Sequence, residues 1–357
     1  MTDMRTEINE QPDVVARLAS ANLDAYHDVC AAARAAGAAF VLYVARGTSD
    51  NAAVYGQYLA TTSAGLPSGL ALPSAVTLYR KPIDFRRCLV IGISQSGETP
   101  DVAESLAYAR TQGAFTVGIT NNAASPLAEA AERVLRTEAG VERSVAATKT
   151  YTSQLAVLAL LWATWNEDEA TLRALREEVP GAMRAGLAAE AQIVALAEEL
   201  KGASGLLVVA RGYNLATSLE AALKMQETAA ILALPYSAAD LMHGPIAMLQ
   251  PGSPVLCFAP SGPAQANVLQ VSALLRERGA RVILISPAGS TPALPPRSES
   301  ALQPEGALDW IRLEDTPESL SPLVAIIPAQ LLACHLALAQ GRDPDHPFGL
   351  SKVTHTR

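Results

Sequence analysis

Short runs of consecutive apolar residues recur along the chain, and a stretch with helical spacing follows each of them. The runs are FVLYVA near residue 40, CLVIGI near 88, FTVGIT near 115, GLLVVA near 205, PVLCFA near 254 and RVILIS near 281. A strand that is apolar on both faces has to be covered on both faces, which is typical of a parallel sheet between layers of helices. The pattern therefore predicts an α/β protein.

The second half of the chain repeats features of the first half at a separation of 165 or 166 residues. The matching segments are VARGTS at 44–49 and VARGYN at 209–214, LVIGISQSG at 89–97 and PVLCFAPSG at 254–262, and RTQGA at 110–114 and RERGA at 276–280. Three matches in the same order predict a duplicated α/β domain, with residues 1–195 as the first copy and 196–357 as the second. The Ala- and Glu-rich stretch 152–201 is predicted to be a helical connection between the copies.

The polar loop SQSGET, at 94–99, differs from its counterpart in the second copy, where APS stands at 259–261. The loop follows an apolar strand and opens a helix, a position where free backbone N–H groups and the helix dipole attract an anion. Ser94, Ser96 and Thr99 add hydroxyl donors, and Gly97 lets the backbone come close to a ligand. The loop is therefore predicted to bind a phosphate.

A second loop of the same kind, GTSDNA at 47–52, follows the first strand and places Ser49 at the same edge of a parallel sheet. Both loops could instead be ordinary helix N-caps, for which Ser and Thr are common. The chain has no GxxxxGK[ST] or GxGxxG motif, which argues against a nucleoside triphosphate or a dinucleotide as the ligand.

Composition narrows the classes of partner. The net charge is −8 and half of the residues are hydrophobic, so the chain has enough apolar residues for a large core and lacks the basic surface that nucleic acid or an anionic membrane would need. The four cysteines lie far apart without CxxC spacing, which predicts buried thiols rather than disulfides or a zinc site.

The N-terminus resembles no signal peptide, and the apolar stretches SQLAVLALLWATW and SPLVAIIPAQLLACHLALA are predicted to be buried helices. A cytoplasmic location is expected.

Six segments together resemble the sugar isomerase (SIS) domain family, and within it the isomerase half of glutamine–fructose-6-phosphate aminotransferases. The segments are GTSDNA, SQSGETPD, ERSVAATKTYTSQL, SLEAALKMQE, MHGP and GLSKVT. The resemblance implies two tandem SIS domains, each a parallel sheet flanked by helices in a flavodoxin-like three-layer sandwich. It also implies that the phosphate of a hexose 6-phosphate is held by Ser49, Ser94, Gln95, Ser96 and Thr99.

The same resemblance assigns roles to other polar residues. The residue matching Glu227 moves a proton between C1 and C2 of the sugar, and those matching Glu220 and Lys224 support it. His243 matches a ring-opening histidine that the neighbouring subunit of a homodimer contributes, so shared active sites are expected. Lys352 matches a lysine that forms a Schiff base with a ketose carbonyl.

Residue spacing alone allows simpler interpretations of these positions. Glu220, Lys224 and Glu227 are separated by four and three residues, so they lie on one face of a helix and could be an exposed stripe of ion pairs. His243 could be a loop histidine with a structural hydrogen bond. Lys352, near the C-terminus, could be a solvated charge.

The family's aminotransferases carry an N-terminal glutaminase domain that begins with a cysteine, whereas this sequence starts MTDM and reaches the sugar-phosphate domain almost at once. In addition, ERSVAATK, with Ser144, is similar to stand-alone amino-sugar-phosphate deaminases. We therefore expect a deaminase that converts glucosamine 6-phosphate to fructose 6-phosphate and ammonia, without a metal or organic cofactor. The alternatives are a deglycase of fructosamine-type 6-phosphates, a galactosamine-6-phosphate deaminase and a non-catalytic sugar-phosphate sensor.

Overall fold

The computed structural model describes residues 2–289 and 308–352. By their internal contacts these residues form two compact units. The first unit comprises Glu10–Glu177 with Ser351 and Lys352, and the second unit comprises residues 2–9 and Glu178–Leu350. The boundary between the two units, between Glu177 and Glu178, lies inside the predicted helical connection. The predicted domain boundary near residue 195 stays a prediction.

The first unit is built around five strands. They are β1 Phe40–Val44, β2 Ser68–Leu70, β3 Cys88–Ile93, β4 Phe115–Thr120 and β5 Arg133–Arg136. The helices up to residue 177 are α1 Asp3–Ala19, α2 Asp24–Ala35, α3 Thr48–Thr62, α4 Pro100–Thr111, α5 Pro126–Ala130, α6 Lys149–Trp165 and α7 Glu169–Glu177, with a π-helical turn at Ala75–Tyr79.

The second unit also has five strands in its described residues. They are β6 Gly205–Ala210, β7 Leu232–Ser237, β8 Pro254–Phe258, β9 Arg281–Pro287 and β10 Leu308–Leu313. The helices are α8 Val179–Leu187, α9 Glu190–Leu200, α10 Leu215–Ala229, α11 Ala238–Met242, α12 Gln265–Glu277 and α13 Ser321–Ala339, with 3-10 turns at Gly212–Asn214, Pro245–Met248 and Glu318–Leu320.

Every pair of neighbouring strands is parallel, and the two sheets share one topology. The strand orders are β2-β1-β3-β4-β5 and β7-β6-β8-β9-β10, which is the flavodoxin-like order 2-1-3-4-5 in each unit. The predicted fold class is confirmed: the structure is α/β, with two parallel sheets flanked by helices. All six strands predicted from continuous apolar runs are present.

Sequence analysis missed four strands, and all four are sheet edges: β2, β5, β7 and β10. An edge strand has only one neighbour and is partly exposed, so it needs no continuous apolar run. In β7, for example, Leu232 is 74% exposed, whereas Ala233 is fully buried.

The region predicted as a helical connection is helical, but it forms the four separate helices α6 to α9. All 17 residues of α6 are buried, which explains why its segment from Leu155 to Trp165 is almost entirely apolar. The other apolar stretch is α13. It is long and apolar enough to cross a membrane, yet 83% of its most apolar window is buried inside the protein, so it is a core helix of the second unit, as predicted.

Candidate functional site

The two predicted phosphate-binding loops of the first unit follow β1 and β3, which are neighbours in the sheet. Ser49 lies in the first turn of α3, and residues 94–99 connect β3 to α4. In the order 2-1-3-4-5 the chain reverses its direction of winding between β1 and β3, and the carboxyl ends of these strands are where open parallel sheets bind ligands. The topology therefore brings Ser49 and the SQSGET loop to the same end of the sheet, where β1 and β3 have their carboxyl ends.

Hydrogen bonds within the SQSGET loop use its hydroxyl oxygens as acceptors. The backbone N–H of Gly97 donates to Ser94 Oγ at 3.1 Å, and that of Glu98 donates to Ser96 Oγ at 3.2 Å. Ser94 Oγ also lies 3.2 Å from Thr99 Oγ1. A hydroxyl that accepts a bond from an N–H group still has its own hydrogen to donate, so this loop can present O–H donors to an anion.

Gly97 cannot be replaced in this loop without rearrangement. Its φ is +70°, and a Cβ atom there would lie 2.0 Å from Ser125 Oγ. Glycine is therefore required both for the left-handed backbone and for the close approach of the neighbouring loop.

The corresponding loop of the second unit, at 259–264, is occupied by a side chain of its own unit. A Cβ atom at Gly262 would lie 2.3 Å from Glu318 Oε2, so the carboxylate fills the space beside this glycine. Burial raises the pKa of Glu318, although a hydrogen bond from the backbone N–H of Ala264 opposes the increase. The two loops thus differ in structure as well as in sequence.

Lys352 is held by Glu142, a residue that sequence analysis did not select. Lys352 Nζ donates to Glu142 Oε2 at 2.6 Å and to the carbonyl oxygen of Ser144 at 2.7 Å. The Glu142 side chain is fully buried, and that of Lys352 is 26% exposed. The interpretation of Lys352 as a solvated tail charge is therefore wrong.

Glu142 also caps the start of α6. Its Oε1 accepts from the backbone N–H groups of Thr148 and Thr150, and its Oε2 accepts from the Thr150 hydroxyl. Burial disfavours the charged carboxylate, but the Lys352 ammonium and these hydrogen bonds outweigh burial and lower the pKa of Glu142. A signal was available in the sequence: an acid shortly before a helix can cap it.

A cavity of about 410 Å³ lies beside these residues in the first unit. Its lining residues are Gln95, Asn121, Arg136, Glu138, Gly140, Val141 and Glu142. The cavity is therefore lined both by Gln95 of the SQSGET loop and by Glu142, whose carboxylate binds Lys352.

The charged residues of α10 in the second unit form a compact group. Lys224 Nζ donates to Glu227 Oε2 and lies 3.4 Å from Glu220 Oε1. The side chains of Glu220 and Lys224 are fully buried, while that of Glu227 is 23% exposed. The interpretation of the three residues as an exposed stripe is therefore wrong, and Glu227 is the member that solvent or a ligand can reach.

His243 follows α11 in the same unit and is exposed. Its backbone N–H donates to the carbonyl oxygen of Asp240 at 3.0 Å. In the described part of the chain, no hydrogen bond or ion pair joins its ring to the charged residues of α10. The structure thus brings Glu220, Lys224 and Glu227 together and leaves His243 apart from them.

The fold is that of a protein with two flavodoxin-like domains. One domain has a hydroxyl-rich loop at the carboxyl ends of its central strands, and the other has a group of charged residues that is largely buried. The chain belongs to the SIS domain family, whose model matches residues 37–163 and 199–340. The sequence is 38% identical over 313 residues to the glutamine–fructose-6-phosphate aminotransferase (isomerizing) of Methanothermobacter thermautotrophicus, covering 87% of this chain and 51% of that protein. The chain therefore spans about half the length of the curated relatives it matches.

Solved structures give the same result. The C-terminal domain of glucosamine-fructose-6-phosphate aminotransferase from Francisella tularensis is similar with a TM-score of 0.85 and 26% identity, over 97% of this chain and 98% of that one. A protein of Silicibacter pomeroyi, named provisionally as a phosphosugar isomerase, has a TM-score of 0.83 and 33% identity, over 97% of this chain and all of that one.

Proposed function

We propose that the protein is an amino-sugar-phosphate deaminase/isomerase that converts glucosamine 6-phosphate to fructose 6-phosphate and ammonia. The observation that carries the proposal is the arrangement of Glu227 beside Lys224: a partly exposed carboxylate in contact with a buried ammonium. The contact with Lys224 holds the carboxylate in place, and its exposed part can accept a proton from a bound sugar. Moving a proton between two neighbouring carbons needs such a group.

Phosphate binding is assigned to Ser49 and to the loop residues Ser94, Gln95, Ser96 and Thr99. The Ser94 and Ser96 hydroxyls accept hydrogen bonds from N–H groups. The Ser94–Thr99 contact uses one hydroxyl hydrogen, and the remaining hydroxyl hydrogens can be donated to phosphate oxygens. The position at the carboxyl ends of β1 and β3 supports the assignment, because parallel sheets of this order bind ligands there.

In the proposed reaction, His243 assists opening of the sugar ring and Glu227 removes the proton from C2. The resulting enolamine is reprotonated at C1 by the same carboxylate, which gives an imine at C2. Water adds to this imine, and loss of ammonia leaves fructose 6-phosphate. Lys224, which also contacts Glu220, holds Glu227 in place. His243 acts in the site of a partner chain in a homodimer.

Lys352 was expected either to form an imine with the substrate or to position its open chain, and the geometry favours positioning. Here Nζ donates to a buried carboxylate and to a backbone carbonyl. These two hydrogen bonds occupy the amine that would attack a carbonyl and hold it in one place.

The relatives' names describe amination of fructose 6-phosphate with isomerisation. The proposed reaction follows the same sugar chemistry in the opposite direction, and the differing motif ERSVAATK supports this direction. A cytoplasmic location fits a reaction on a phosphorylated sugar.

The cavity favours one second candidate, a deglycase of fructosamine-type 6-phosphates. Ammonia needs no pocket, whereas a cavity of about 410 Å³ that adjoins Gln95 and Glu142 could take a substituent on the nitrogen. Arg136 and Glu138, which form an ion pair at 3.1 Å, would meet the polar end of such a substituent.

Incubation with a panel of sugar phosphates tests the proposal. The panel contains glucosamine 6-phosphate, galactosamine 6-phosphate and fructosamine-type 6-phosphates, and both ammonia and ketose phosphate are measured. Release of ammonia and fructose 6-phosphate in equal amounts from glucosamine 6-phosphate is expected. Release of an intact amine from the fructosamine compounds alone would identify the deglycase, and tight binding of a sugar phosphate without turnover would identify a sensor.

The Ser96→Ala variant tests the loop. Loss of one hydrogen bond to a charged phosphate costs about 1.5–3 kcal/mol, so KM for the phosphorylated sugar should rise by about tenfold or more while kcat changes little. An unchanged KM would remove Ser96 from the phosphate site.

A further inference from the structure

Ser49 is joined to a buried glutamine to which neither the family resemblance nor the proposed reaction assigns a role. Gln154 Nε2 donates to Ser49 Oγ at 2.9 Å. Gln154 lies on α6 and is fully buried, and Ser49, in the first turn of α3, is 7% exposed. Within residues 2–289 and 308–352, this is the only hydrogen bond of the Ser49 side chain.

The chemistry of the two groups determines what Ser49 can do. A side-chain NH₂ group can only donate, so the Ser49 oxygen is the acceptor in this bond. The hydroxyl has a single hydrogen, which is then free for another acceptor. Phosphate oxygens only accept, so a hydroxyl whose hydrogen is not otherwise engaged is what a phosphate site requires.

The other end of the Gln154 amide does not contribute a compensating bond. Among the residues that the structure describes, its buried Oε1 atom has no hydrogen-bond partner, an arrangement that costs stability. An apolar side chain of similar shape would fill this buried position at lower cost. Packing alone therefore does not account for a glutamine here.

We propose that Gln154 is a positioning residue for phosphate binding: its NH₂ group holds Ser49 as an acceptor and thereby directs the Ser49 O–H toward the phosphate of the substrate. The inference rests on the proposed function, since it assumes that Ser49 binds phosphate. It predicts an effect on affinity for phosphorylated sugars that passes through Ser49 and leaves the chemical step unchanged.

Binding of fructose 6-phosphate, measured by titration calorimetry, tests the inference without requiring turnover. Gln154→Met removes the donor and lets the Ser49 hydroxyl rotate, so affinity should fall by about fivefold, the effect of one ordinary hydrogen bond. Gln154→Glu offers only acceptors and recruits the Ser49 hydrogen away from the ligand, so affinity should fall more than tenfold. Thr152→Val, which removes another buried side-chain hydrogen bond of α6, is the matched control and should bind normally.

A double-mutant cycle with Ser49→Ala separates positioning from packing. In the Ser49→Ala background, Gln154→Met should cause no further loss of affinity. Additive losses would overturn the inference, because they would mean that Gln154 acts independently of Ser49. Unchanged or tighter binding in Gln154→Glu would also overturn it, since that result means that the glutamine accepts the Ser49 hydrogen.

The same measurements distinguish failure of this inference from failure of the phosphate assignment. If Ser49→Ala alone binds fructose 6-phosphate as the wild type does, Ser49 is not a phosphate ligand and the assignment itself fails. If Ser49→Ala weakens binding but Gln154→Met does not, the phosphate assignment stands and only the positioning role is overturned.

Discussion

Lys352 Nζ lies 2.6 Å from Oε2 of Glu142, a carboxylate whose side chain is fully buried. Glu142 in turn accepts hydrogen bonds from the backbone at the start of α6. A residue near the end of the chain is thus tied to a helix N-terminus of the first unit through one carboxylate. This connection gives Lys352 a defined position.

The role of Lys352 can be tested by trapping. Because its Nζ is engaged by two acceptors, treatment with sodium borohydride in the presence of fructose 6-phosphate should give no reduced sugar adduct on the peptide that contains Lys352. Lys352→Arg, which keeps the charge, should retain at least about ten times the activity of Lys352→Met, because a charged hydrogen bond contributes about 1.5–3 kcal/mol. A sugar adduct found on Lys352 by mass spectrometry would contradict this role.

The carboxylate of Glu142 makes stability depend on pH. Its pKa is lowered in the folded protein, so its contribution is present above the pKa of the unfolded chain, about 4.3, and is lost as the pH falls through the folded-state pKa. Wild type should therefore have a higher Tm than Glu142→Gln at pH 7, and the difference should shrink below about pH 4. The exposed Glu104 provides the control variant Glu104→Gln. An equal difference in Tm at pH 3 and pH 7 would argue against a stabilising charge at Glu142.

Glu227 is predicted to be the catalytic base. Glu227→Gln keeps the shape of the side chain but cannot accept the C2 proton, so kcat should fall by about 10²–10⁴ while the sugar phosphate still binds. The measurements are steady-state rates and exchange of solvent deuterium into C1 of the sugar. Undiminished exchange in the variant would remove Glu227 from the mechanism.

Lys224 is predicted to be essential for stability as well as for activity. It is fully buried and contacts two carboxylates, so Lys224→Met leaves them without a cation and should destabilise the protein by about 3–5 kcal/mol. The double variant Glu220→Gln/Lys224→Met should recover part of this loss, because it removes one of the uncompensated charges. Urea unfolding followed by circular dichroism measures both effects, and an unchanged midpoint in Lys224→Met would disprove the prediction.

Shared active sites can be tested by complementation. If His243 acts in the site of a partner chain, mixing inactive Glu227→Gln chains with inactive His243→Ala chains restores one intact site in each mixed dimer. With random exchange, about half of the dimers are mixed and about a quarter of the wild-type activity should return. No recovery after verified subunit exchange would mean that His243 serves its own chain.

The buried strands and the edge strands show how far local sequence predicts this fold. All six strands read from continuous apolar runs are present, because a strand covered on both faces must be apolar at every position. The edge strand β7 exposes Leu232 and contains Pro235, and nothing in such a short segment distinguishes it from a loop. Its pairing with β6 depends on a neighbour that is distant in sequence.

The residues of the candidate site likewise include some that local sequence reveals and some that it does not. The hydroxyl-rich loop at 94–99 could be recognised because its composition and its place between strand and helix are local properties. Glu142 and Gln154 were missed because their partners, Lys352 and Ser49, are 210 and 105 residues away. The three charges of α10 were found by their spacing, but spacing on a helix does not reveal which face the rest of the protein covers.

The sequence by itself determined the α/β class, the two parallel sheets, the position of the polar loop and the membership of the SIS family, since each follows from periodicity or from motifs within a few tens of residues. Only the tertiary structure decided that Glu220 and Lys224 are buried, that Lys352 pairs with Glu142, and that Gln154 donates to Ser49. Burial and pairing depend on which segments meet after folding, and that choice is made by the packing of the whole unit rather than by any one stretch of chain.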